Sequence, residues 1–380
     1  MIFKLSMLWI MCFTTALGFS FVSIDSNKNT PHTSQQPEIN LEVQKILDYC
    51  KNPDEGVLNN CFREKSKKLV LNTSAAQTIV ALQSIYTNDS QANYSMKIAC
   101  HSLGHIAGEI DGQYSQNVGE SLSKCTPDCG NACYHGILIG ALKTHQDLLN
   151  NLESICSSFS QFDFPGQQLT ACNHGLGHGL SEFTGNDTKA SLNYCDGLKT
   201  EVAKIECGSG VFMESIDDLV SGQAGIKLPE DIGPFCLELN QPYKDLCMRN
   251  IGNYKHRTTN NTPMAFQACM ELTGEYVDSC IGSLGSDFFF ITRGNISELT
   301  EVCKNIPAKQ DICLRGAIIS SLVTDPYGNL SVEICNSLKA GGDDCLLQLS
   351  SHLLRLQGRQ YRDEFCNKFV YNNKQACLSL

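Results

Sequence analysis

Cysteines recur along this chain at an almost fixed interval, and that constrains its fold more than any other feature. Cys61, Cys100, Cys133, Cys172, Cys207, Cys247, Cys280, Cys313, Cys345 and Cys377 follow one another at intervals of 32 to 40 residues. A self-similar period of that length marks a repeat array. Most of these cysteines have a partner shortly upstream. Cys236/Cys247, Cys269/Cys280, Cys303/Cys313, Cys335/Cys345 and Cys366/Cys377 lie 10 or 11 apart. Cys50/Cys61 are 11 apart, Cys195/Cys207 12 and Cys156/Cys172 16.

Each unit shares one grammar. A short apolar stretch carries the first cysteine, as in PFCLEL and EICNSL, and a polar loop follows. The second cysteine then opens an apolar, glycine-containing stretch such as CIGSLGSDFF or CLRGAIISSL. The apolar positions do not alternate, so strands are disfavoured, and the unit length suits two helices. The expected fold is all-α: a right-handed solenoid of about nine αα-hairpins, each stapled by a disulfide between its helices. A bond closing so short a loop contributes roughly 2–3 kcal/mol.

Zinc ribbons need C-x2-C pairs, and no pair here has that spacing. Disulfides are therefore expected at the eight pairs. Cys12 lies in the N-terminal apolar segment, and Cys100, Cys125, Cys129 and Cys133 remain. The insert CTPDCGNAC allows either Cys125 or Cys129 to close onto Cys100 while the other joins Cys133.

Disulfides on this scale place the chain outside the cytoplasm. Residues 1–24 carry one lysine ahead of an apolar run from Leu5 to Val22, with small residues Ala16, Gly18 and Ser20 near its end. They read as a cleaved signal peptide or an uncleaved membrane anchor. Residues 25–40, with Pro31 and Pro37, read as a polar linker. The repeat domain is expected over 41–380. The localisation that follows is secreted, or anchored with the domain outside. Seven Asn-x-Ser/Thr sequons, at Asn72, Asn88, Asn93, Asn186, Asn260, Asn295 and Asn329, fit an exported glycoprotein. A net charge of -11 argues against a nucleic-acid partner.

Histidines divide the array in two. Units over about 90–215 are rich in them, and units over about 216–380 are poor. HSLGHIAGE supplies His101, His105 and Glu109; HGLGHGLSE supplies His174, His178 and Glu182; CYHG between them supplies His135. Residues four apart on a helix share a face. Equivalent helices of adjacent units stand side by side, so five imidazoles are expected on one surface. The later units keep a glycine near the same place, at Gly210, Gly252, Gly285 and Gly316, but replace the histidine. The scaffold therefore does not itself require imidazole.

These residues point to a divalent transition metal: zinc, copper or iron. The expected ligands are His101, His105, His135, His174 and His178. Glu109, Glu182, Met213 and Glu214 are secondary candidates; counted from its cysteine, Met213 stands where His178 does. The motifs HExxH, CxxCH, GxSxG and the P-loop are absent, so no reaction is indicated. The competing expectations are a buried polar network, and an interaction scaffold holding another exported protein or a glycan on the solenoid surface. His145, His256 and His352 are expected at the surface, and REKSKK at 63–68 as a solvated helix face.

Overall fold

The structure is a computed structural model. It describes residues 35–52, 55–88, 94–157, 159, 165–221, 232–324, 328–357 and 366. The chain divides into Met1–Gln35 and Gln36–Leu380, and the helices below all belong to the second unit. The expected signal segment lies outside the described residues. The expected linker does too, except for its last residues: α1 begins at Gln36, so the helical domain starts before residue 41.

The described residues are helical and contain no strand. Shorter and longer helices alternate. In chain order they are α1 (Gln36–Cys50) and α2 (Glu55–Asn72), α3 (Ala75–Asn88) and α4 (Tyr94–Tyr114), α5 (Val118–Ser123) and α6 (Asp128–Thr144), α7 (Leu152–Ser157) and α8 (Pro165–Phe183), α9 (Thr188–Cys195) and α10 (Glu201–Ser221). Then follow α11 (Ile232–Glu238) and α12 (Tyr243–Thr259), α13 (Thr262–Met270) and α14 (Tyr276–Ile291), α15 (Ile296–Cys303) and α16 (Gln310–Thr324), α17 (Asn329–Asn336) and α18 (Gly342–Gln357).

Local chemistry sets where several short helices start. Asn117, Asp187, Asn261 and Asn295 each sit before a helix, and each side chain accepts a hydrogen bond from the backbone N–H three residues on. This satisfies a donor that the first helical turn leaves unpaired. From α2 to α16, each even-numbered helix packs against the next one. One continuous core runs from Ile39 to Ile334, and a smaller one gathers Leu322, Cys335, Cys345, Leu346, Leu349 and Cys366.

Nine disulfides join described residues. Seven link a short helix to the long helix after it: Cys50–Cys61, Cys156–Cys172, Cys195–Cys207, Cys236–Cys247, Cys269–Cys280, Cys303–Cys313 and Cys335–Cys345. Cys366 is also disulfide-bonded, while Cys377 lies outside the described residues. In the insert, Cys125 joins Cys133, and Cys100 on α4 reaches across to Cys129 at the start of α6. Nine disulfides favour an extracellular or secreted fold. Among the described residues, no helix is long and apolar enough to cross a membrane.

One surface expectation needs correction. His256 is buried, its ring edge-on to Phe288 with centroids 4.9 Å apart. It lies on α12 beneath the aromatic run of α14, so packing covers it. REKSKK is solvated as expected, apart from the buried Ser66, and from its exposed face Arg63 also reaches Glu109 on α4 at 2.7 Å. Of the sequons, Asn186 is buried, and its side chain accepts a hydrogen bond from Ser181.

Candidate metal centre

The helices that carry the imidazoles approach closely: a Cβ on Gly179 of α8 would lie 2.8 Å from the carbonyl oxygen of Leu138 on α6. A Cβ on Gly136 would lie 2.2 Å from the carbonyl oxygen of His105, and one on Gly210 would lie 2.1 Å from that of His174. No side chain fits at either place, so α4 against α6, and α8 against α10, pack backbone to backbone.

The start of α6 is also specialised. Cys129, Gly130 and Asn131 have φ of 49°, 68° and 66°, a left-handed run that non-glycine residues seldom adopt. The Cys129 N–H donates to the Gln83 side-chain oxygen at 2.8 Å, and the Cys100–Cys129 bond ties the same residue to α4. The carbonyl of Cys129 is thereby held 2.7 Å from Nδ1 of His101.

All five expected histidines come together. His105 Nε2 lies 3.0 Å from His135 Nδ1, and His174 Nε2 lies 3.2 Å from His178 Nε2. Ring centroids are 4.5 Å apart for His101 and His105, 5.1 Å for His135 and His174, and 4.8 Å for His135 and His178. The nitrogens form two sets of three, His101/His105/His135 and His135/His174/His178, and within each set they lie within 4.8 Å of one another. His135 and His178 are buried, while His101, His105 and His174 keep a partly exposed edge.

Burial disfavours the charged imidazolium, and it lowers the pKa of every one of these rings. For His174 the value falls to about 3 and for His178 to about 4. Five neutral imidazoles at pH 7 offer lone pairs, which is the form that ligates metal. Protein groups hold the far side of three rings: Cys129 carbonyl on His101, a backbone hydrogen bond with Glu206 on His174, and the Glu214 carboxyl on His178 Nδ1. Such outer partners orient ligating histidines.

The secondary candidates separate. Glu214 contacts His178 directly, and burial, reinforced by nearby Glu182, pushes its carboxyl up to about 8. Glu109 and Glu182 instead turn to Lys143, whose Nζ lies 3.1 and 3.2 Å from them. Burial acts against the Lys143 charge, yet these two carboxylates hold its pKa above the ordinary value. Met213 is 40% exposed and does not join the cluster. Successive helical residues point about 100° apart, so with Glu214 turned to His178, Met213 faces outward.

Spacing gave no warning of Lys143, Arg63, Gln83 or Glu206. They act through long side chains or backbone carbonyls brought in from other helices. The turn-forming pair Gly130-Asn131 is the one local signal that the chain bends beside His101. Comparisons with known protein families, curated proteins and solved structures found no match.

Proposed function

We propose that this chain is an exported metal-binding protein whose histidine cluster on α4, α6 and α8 holds a divalent transition ion: zinc, copper or iron. One observation carries the reading: five imidazoles, two buried and three partly so, present their nitrogens as two compact sets of three. Three imidazoles suit these metals and leave a further coordination position for water or an exogenous ligand. Neutral hydrogen bonding among the rings is the rival account. It explains burial, but it does not explain why three rings are held from behind by outer partners.

The architecture behind this reading is a right-handed solenoid of disulfide-stapled αα-hairpins. Support comes from the serial packing of the long helices and from close glycine contacts that recur at Gly285 and Gly316, far from the histidines. Glycine thus serves the stacking, and the histidines are an addition to it. Outside the cytoplasm, such a site draws its ion from the surroundings.

The test is the metal content of the oxidised protein, purified without a His-tag, beside a His101→Ala/His174→Ala variant. Zinc, copper or iron in the parent and its loss from a variant with unchanged circular dichroism supports the reading. A metal-free parent that stays empty after reconstitution refutes it.

A further inference from the structure

We infer that the cluster is a dinuclear centre in which His135 is shared between two ions; this rests on the metal-binding reading above. The geometry contains two separate coordination edges. Ligands on a tetrahedron with metal–nitrogen bonds of about 2.0–2.1 Å sit roughly 3.3–3.4 Å apart. His105 Nε2 and His135 Nδ1, at 3.0 Å, form one such edge. His174 Nε2 and His178 Nε2, at 3.2 Å, form the other. The nitrogens gather within 4.8 Å of one another as two sets of three, and not as one set of four around a single ion.

His135 joins the two sets. It lies on the central helix α6, between His101 and His105 on α4 and His174 and His178 on α8. It belongs to both groups of three nitrogens. Its Nδ1 faces His105, which leaves Nε2 for the second set; holding an ion at each nitrogen takes the ring as imidazolate, its N–H proton released to solvent as the second ion binds. Its ring stacks on His178 at an interplanar angle of 21° and stands at 84° to His105.

The remaining nitrogens agree with this assignment. His101 has Nδ1 committed to the Cys129 carbonyl, so Nε2 is its ligating atom. His178 has Nδ1 committed to Glu214, and its Nε2 already faces His174. The first ion is held by His101 Nε2, His105 Nε2 and His135 Nδ1. The second is held by His135 Nε2, His174 Nε2 and His178 Nε2. Each ion has three nitrogen ligands and one open position, which suits a separate water or small anion on each ion.

The experiment is equilibrium dialysis of the oxidised full chain against zinc chloride, with zinc and protein counted. The parent should bind two zinc ions. His101→Ala and His174→Ala should each bind one, and His135→Ala should weaken both. A parent that saturates at one zinc overturns the inference and leaves the metal-binding reading standing. Two zinc ions that both persist in His101→Ala and in His174→Ala overturn it as well, because they lie elsewhere. A parent that binds no zinc, and no copper or iron in parallel dialysis, removes the metal-binding reading itself. Cobalt(II) titration of the parent needs no variant: absorption should rise until two equivalents, and a break at one contradicts the shared-ligand centre.

Discussion

Gly136 on α6 lies against the carbonyl of His105 on α4 so closely that a Cβ would come within 2.2 Å of the oxygen. That contact sets the distance between two helices that together carry three of the five imidazoles. Shape at one glycine therefore governs the geometry of a site several atoms away.

Gly136→Ala should accordingly push α4 from α6. Overpacking of this kind costs about 1–3 kcal/mol. Denaturant unfolding should show that loss, and metal affinity should fall with it. Gly282→Ala is the control: a Cβ there meets nothing within 4 Å. At that open helical position alanine should be neutral, or stabilising by up to about 1 kcal/mol.

Glu214→Gln removes the carboxyl group behind His178 while keeping its size. Losing an outer partner of a ligating histidine typically weakens metal binding about 10–100-fold. Competition with a chelator should show a drop in that range, and unchanged affinity would mean that Glu214 has no part in orienting the ring.

Acid should destabilise the metal-free protein. His174 and His178 have folded values of about 3 and about 4, below the unfolded value of about 6.5. Between those limits the unfolded chain binds more protons, so stability is full above about pH 6.5 and is lost as pH falls. Glu214, raised to about 8, has the opposite sign: its contribution is present at low pH and declines as pH rises toward 8. Thermal unfolding in chelator should therefore peak between about pH 6 and 7 and fall on both sides. A midpoint that keeps rising down to pH 4 would contradict the buried, neutral state of the rings.

The Cys100–Cys129 bond should matter to the site as well as to stability. It closes a separation of 29 residues and fixes the turn whose carbonyl holds His101. Cys100→Ala/Cys129→Ala should lose about 2–4 kcal/mol and bind metal more weakly. Cys335→Ala/Cys345→Ala removes a bond of separation 10 at the far end of the array. It should lower stability there and leave metal binding unchanged, by calorimetry and zinc titration respectively.

Much of this was legible in the chain because the relevant chemistry is local. Cysteines 10 to 16 apart can reach one another across a single interhelical loop, so spacing alone indicates the staples. Histidines four apart must share a helix face. What spacing could not fix was register between units. Glu214 stands seven residues after Cys207, whereas His178 stands six after Cys172, and one residue turns a helical side chain by about 100°. Counting from the cysteine therefore selected Met213, the outward neighbour of the residue that touches His178. Glu109 and Glu182 were drawn to Lys143 for a similar reason: a flexible ammonium from α6 reaches them, and no sequence interval encodes that. The insert left two pairings open until the left-handed turn at Cys129–Asn131 showed which sulfur faces Cys100.

The most direct test is anomalous diffraction at the metal edge from crystals of the oxidised protein grown with zinc. The account predicts anomalous density about 2.0–2.1 Å from ring nitrogens of His101, His105, His135, His174 and His178. Zinc in the crystals with no anomalous peak among these five imidazoles would contradict it.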